Sequence, residues 1–136
     1  MPGTGANDGA QIMTPPDLPD NVRELLPLSP NDFHVLLVLA EGELYGYGIK
    51  KAMEEASHGM LKPEIGSLYR MIGRLMKSGL VEEAGEKQAA QDEGPSPGHP
   101  RRYYAITDLG RQVLEADATR VQEVLETARA KDLIGT

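Results

Sequence analysis

The stretch PEIGSLYRMIGRLMKSG, residues 63–79, reads as one helix opened by a proline and closed by a glycine. Ile65, Leu68, Tyr69, Ile72, Leu75 and Met76 recur at three- and four-residue spacing and form a single apolar stripe. Outward positions hold Gly66, Ser67, Arg70, Gly73, Arg74 and Lys77. Arg70, Arg74 and Lys77 stand at i, i+4 and i+7 on one face, and no acid falls between Glu64 and Glu82. A merely wetted helix ordinarily fills such positions with Ala, Glu or Lys. Small residues beside arginines suit a helix that sits deep in a groove.

Toward the N-terminus, residues 45–57 predict a second helix with Tyr45, Ile49, Ala52, Met53 and Ala56 as its apolar stripe. Lys50–Glu54 and Lys51–Glu55 are i, i+4 pairs on its other side. Gly46 and Gly48 imply a close approach of backbone to something. Before it, Ser29 is an N-cap, Pro30 suits the first helical position and Asp32 completes a capping-box-like pair. Phe33 and the run Val35 to Ala40 make a helix enclosed on most sides, stopped by Gly42. Residues 21–28 predict a short helix edged by Leu25 and Leu26. Residues 1–20, rich in glycine and proline, predict a mobile tail.

Toward the C-terminus the period changes. Residues 80–84 and 101–106 read as two short strands joined by a loop over 85–100. Thr107 then caps a long helix, with Asp108 in its first turn, reaching about residue 131. Leu114, Ala118, Val121, Leu125 and Ala128 follow coiled-coil spacing along it.

The whole chain has 136 residues and a formal net charge of −7, which at first argues against nucleic acid. The distribution says otherwise. Residues 21–80 carry seven acids and seven bases, so the excess acid lies in both ends and in the loop, which holds Asp92 and Glu93. There are no cysteines, hence no disulfide and no thiolate zinc site. His34, His58 and His99 show no metal-ligand spacing, and no residue order suggests a nucleophile beside its base. An enzyme is not expected, nor a cofactor. The longest apolar run is six residues, far short of the ~20 a membrane helix needs. With no signal-like N-terminus, a cytoplasmic protein is expected.

Three helices, a two-stranded hairpin and a long helix are the layout of a winged helix-turn-helix. The expected class is mainly α with a small β-hairpin wing, followed by a long C-terminal dimerisation helix. The divisions are a tail over 1–20, a DNA-binding domain over 21–106 and the final helix over 107–132. In this layout the third helix enters the major groove of double-stranded DNA. Arg70 is the candidate for a base edge, Arg74 for a base or a phosphate, and Lys77 for a phosphate. Ser67 and Lys62 lie beside them, and Tyr47 precedes the backbone-crossing helix. Tyr69 belongs to the core by its stripe, with its hydroxyl able to reach a phosphate. His99, Arg101 and Arg102 sit where the wing returns to the body, as phosphate or minor-groove contacts or as charges protecting a strand edge.

The head cannot cover the last helix along its length. Leu114 can fold back, whereas Val121, Val124 and Leu125 would stay wet unless a second copy covers them. Leu25, Leu26, Leu114, Ala118, Val121, Val124, Leu125 and Ala128 are therefore the expected homodimer interface. Two heads so joined present two helices about one DNA turn apart, ~34 Å, to a pseudo-palindromic operator. The alternative is a winged helix that docks protein and binds no DNA, with which the acidic total agrees.

GYGI at 46–49, GSLYRMIGRL at 66–75 and RRYYAIT at 101–107 followed by Gly110, in this order, resemble the PadR family of bacterial transcriptional regulators over about residues 28–130. The resemblance implies a homodimeric repressor whose C-terminal helix forms the dimer, of the subgroup with one such helix, and a small effector bound between subunits. A cavity lined by Leu, Val, Ala and Met suits an apolar or aromatic effector. Two departures stand out. Lys62 replaces the Ser or Thr usual before the proline of the third helix. The chain has no tryptophan, so stacking of planar ligands between tryptophans does not carry over.

Overall fold

The computed structural model describes residues 18–88 and 100–135. Its elements are α1 (Asp20–Arg23), α2 (Pro30–Leu39), β1 (Leu44–Tyr45), α3 (Gly46–Ala56), α4 (Ile65–Lys77), β2 (Val81–Gln88), β3 (Pro100–Ile106) and α5 (Asp108–Ala130). The mobile tail expected over 1–20 lies outside the described residues up to position 17. From there the expectation fails, because Leu18 is buried and Asp20 already opens α1.

Two compact units form. One is Leu28–Arg111; in the other, the described part of Met1–Pro27 joins Gln112–Thr136. The core of the first holds Val35, Leu36 and Leu39 of α2, Ile49 and Met53 of α3, and Leu68, Met71, Ile72 and Leu75 of α4, with Leu80, Val81 and Tyr104 from the sheet side. Ser29 Oγ caps α2 by accepting the Asp32 N–H at 3.1 Å, and Pro30 holds the first helical position. The Asp32 carboxylate does not close the expected capping box. It reaches α4 instead, as described below.

Lys50 pairs with Glu54 on α3, but Lys51 and Glu55 form no ion pair. α4 begins two residues later than the proline suggested, at Ile65, with Glu64 as an N-cap that makes no side-chain cap bond. Its end is tight. Gly79 takes φ 79°, the Leu80 N–H donates to Leu75 O at 2.9 Å and the Gly79 N–H to Met76 O at 3.0 Å, a Schellman motif that only a left-handed residue completes.

The sheet has three strands among the described residues, in the order β1-β3-β2, and not the two of a bare hairpin. The added strand is β1, whose Leu44 and Tyr45 pair antiparallel with Tyr104 and Tyr103. Tyr45, expected inside the second helix, is thus its N-cap and a strand residue. Gly85 does not begin the loop. It marks an irregularity in the β2–β3 register, and β2 continues to Gln88. Thr107 caps α5 as expected: its Oγ1 accepts the Gly110 N–H at 2.9 Å and donates to Gly79 O at 2.6 Å.

In the second unit Leu18, Val22, Val113 and Leu114 are buried. So is Asp117, whose carboxylate accepts Arg120 Nε–H at 2.7 Å and an Nη2 hydrogen at 3.4 Å. The apolar stripe of α5 therefore divides. Leu114 is inside, and Val121 and Ala128 are half-buried. Val124 and Leu125 are 54% and 45% exposed, and Ala118 is exposed.

Candidate nucleic-acid interface

The N-terminal ends of α3 and α4 border one cavity of about 460 Å³, lined by Tyr47, Lys50, Lys62, Pro63, Glu64, Ile65 and Tyr69. Tyr47, Lys62 and Tyr69 are thus brought together. Lys50 joins them unannounced, because its i+4 neighbour Glu54 made it look like a solvent-side pair; it makes that pair while lining the cavity. Tyr69 is 48% exposed and is not core. Its ring lies over Gly46, where a β-carbon would sit 2.6 Å from Tyr69 Cζ. A side chain at Gly46 would have to displace the Tyr69 ring.

The outward face of α4 is open. Nothing comes within 4 Å of a β-carbon built on Gly73, and at Gly66 only Arg70 Nη1 does, at 3.9 Å. Arg70 is exposed and donates to Ser67 Oγ at 2.9 Å; Lys77 is exposed in the last turn. Arg74 is held differently. Its Nη1 and Nη2 donate to the two oxygens of Asp32 at 2.9 and 3.1 Å, in a planar fork-to-fork pair. The Asp32 hydrogen bond raises the Arg74 pKa above its ordinary value, against the opposing effect of burial. No periodicity signals this pair, because its members are 42 residues apart.

The wing departs from expectation. Arg101 turns inward: it is 8% exposed, with its guanidinium carbon 4.3 Å from the centroid of the Tyr45 ring. That corrects its assignment as a phosphate contact, since stacking on β1 removes it from the surface. Arg102 is exposed but flanked by Glu83 at 3.8 Å and Glu86 at 3.6 Å. These acids on β2 offset its charge. His99 lies outside the described residues.

The same unit gathers acid elsewhere. A trough of about 540 Å³ is floored by Val38, Leu44, Ala52 and Ala56 and rimmed by Glu41, Glu43 and Glu55. α3 thus contributes Tyr47 and Lys50 to the first cavity and Ala52, Glu55 and Ala56 to the acidic trough, while the exposed cations Arg70 and Lys77 stand on α4. This segregation reconciles an acidic chain with a locally cationic face. No group of three metal-ligating side chains occurs among the described residues.

A family model, the transcriptional regulator PadR-like family, matches residues 35–116. The chain belongs to this family. It is 37% identical over 84 residues to an uncharacterised 37.1 kDa protein in transposon TN4556 of Streptomyces fradiae, spanning 62% of this chain and about a fifth (21%) of that protein's length. A PadR-like transcriptional regulator from Bacillus cereus strain ATCC 14579 superposes with a TM-score of 0.57 at 24% identity, over 87% of this chain and all (100%) of that one. Bacillus subtilis PadR, solved in complex with operator DNA, gives 0.50 at 22% identity over 63% of this chain and 45% of its own. These likenesses show the winged-helix fold, and the PadR-like match covers the second half of α2, then α3, α4, the wing and the start of α5.

Proposed function

We propose that this PadR-like chain is a sequence-specific regulator that binds double-stranded DNA as a homodimer and represses transcription until a small apolar or aromatic effector releases it. The observation that carries the reading is the outward face of α4, where Arg70 and Lys77 are exposed beside uncovered Gly66 and Gly73. An α-helix with such a face fits a major groove, which is ~12 Å wide. We assign Lys62 and Tyr69, which line the neighbouring cavity, to phosphates; Lys50 lines it too but is paired with Glu54. The operator DNA held by the Bacillus subtilis relative supports the same class of partner.

The second copy is proposed for the α5 stripe beyond Leu114: Ala118, Val124 and Leu125, which are exposed, and Val121 and Ala128, which are half-buried. We extend the proposed interface to Leu25 and Leu26, which are half-buried in the single chain. Two cavities of mixed apolar and polar lining, in the unit that holds most of α5, are candidates for the effector. One of about 350 Å³ includes Leu18, Val22 and Ala116 beside Gln112 and Glu115; the other, of about 300 Å³, includes Leu26 and Pro27 beside Arg23, Arg120 and Glu123. Among the described residues no helix is long and apolar enough to cross a membrane.

A column of mixed-sequence duplex tests the reading. The protein is expected to bind at low salt and elute by about 0.3 M, because phosphate contacts release counterions. Lys62→Ala and Lys77→Ala should each flatten the log–log salt dependence by about one, whereas Arg70→Ala should cost ~1–3 kcal/mol and relax one base preference. Flow-through at every salt concentration would instead favour a protein-docking module. Addition of aromatic small molecules to the duplex complex, followed by mobility shift, tests the effector.

A further inference from the structure

We propose that Asp32 is a positioning residue of the interface: it holds Arg74 so that this arginine reads a guanine edge instead of serving as a phosphate contact. The inference rests on the DNA-binding reading above and assigns a role within it.

The geometry sets Arg74 apart from its neighbours. Asp32 is fixed in the first turn of α2, its own N–H bonded to Ser29 Oγ, and its side chain is only 14% exposed. Arg74 is 55% exposed, so a nearly buried carboxylate anchors a guanidinium that remains open to solvent. The two bonds occupy one N–H on each terminal nitrogen and leave three of the five donors, including Nε–H. These have no other protein partner among the described residues. The rest of the interface is looser. Among the described residues Arg70 is held only by the Ser67 hydroxyl, and Lys77 makes no ion pair.

Charge and direction then separate two kinds of contact. A phosphate is drawn by net charge, and the Asp32–Arg74 pair has none, so its pull is weak and Asp32 repels. The guanine O6/N7 edge is a neutral double acceptor that rewards a donor fork held in one plane. An arginine fixed before binding also loses less rotamer freedom on contact. Open space over Gly73, on the same helix face, lets a base edge approach. A brace between α2 and α4 is the competing explanation, and the two differ in what they do to base preference.

The test begins with wild-type full-length protein selecting from a pool of randomised duplexes. Affinity is then measured for a selected duplex, for the same duplex with its G·C positions changed singly, and for a scrambled one. Asp32→Asn keeps the shape and removes the charge. It should bind the scrambled duplex several-fold more tightly, steepen the salt dependence by about one, and lose about tenfold of the preference at one G·C pair. Arg74→Lys keeps the cation and loses the fork, so the same preference should fall with the salt dependence unchanged. A simple brace would lower melting temperature and weaken both duplexes together, with preference intact. That result in Asp32→Asn overturns the proposal, and should Asp32→Asn not fold, intact preference in Arg74→Lys overturns it. Wild-type protein that selects no duplex refutes the DNA-binding reading itself.

Discussion

Val124→Asp combined with Leu125→Asp is expected to yield a folded monomer that binds a two-half-site duplex at least 100-fold more weakly than the wild type. Both side chains are about half exposed in the single chain, so the substitution removes no fully buried side chain. In a dimer each would be covered, worth ~1.5–3 kcal/mol per side chain on full burial, and a carboxylate there must be desolvated without a partner. The effect on DNA is larger than the loss of one contact set. Tethering makes the second head's binding intramolecular, which multiplies affinity by roughly 10²–10⁴. A monomer keeps only the first head. Sedimentation at micromolar concentration reads the assembly, and titration with half-site and full-site duplexes reads the coupling. A variant that remains dimeric, or a wild type that is already monomeric, removes α5 as the interface.

What could be read from the chain was whatever lies within one turn or one period. Ser29 and Thr107 announce their helices because a cap and the amide it satisfies are three residues apart. The stripe of α4 predicted Leu68, Ile72 and Leu75 as core. It misplaced Tyr69, because a stripe has edges, and Gly46 supplied a seat for the ring outside the core. The misses share a cause. β1 is two residues long and exists through pairing with Tyr103 and Tyr104, far along the chain. That pairing also sets Tyr45 beneath Arg101 and draws the arginine inward. Asp32 looked like half of a local capping box, and only the packing of α2 near α4 gives its carboxylate Arg74. Asp117 is a buried acid on a helix whose apolar spacing skips it; its shield is Arg120, an i+3 neighbour like many that remain wet.

Gly110→Ala is expected to destabilise the protein by about 2–3 kcal/mol and lower its melting temperature by roughly 10 °C or more. Gly110 lies in the first turn of α5, where alanine is normally better than glycine by ~1 kcal/mol. Here the β-carbon would overlap the backbone carbonyl oxygen of Leu80 and stand 3.1 Å from its carbon and 2.8 Å from Ile106 Cγ1. Ile106 can turn away; the carbonyl cannot. Leu80 O accepts the Thr107 N–H at 3.1 Å, and the adjoining Gly79 O accepts the Thr107 hydroxyl, so moving that backbone also loosens the cap of α5. Overpacking of ~1–3 kcal/mol and a lost hydrogen bond of ~1 kcal/mol outweigh the gain in helix propensity. Gly73→Ala isolates that gain. It adds the same methyl to a helix interior with nothing within 4 Å, so the melting temperature should rise by a few degrees. If α4 seats in a groove, the methyl fills space meant for a base edge, and DNA binding should weaken as stability increases. A gain in both would mean that the uncovered glycine is a defect of the helix rather than clearance for DNA.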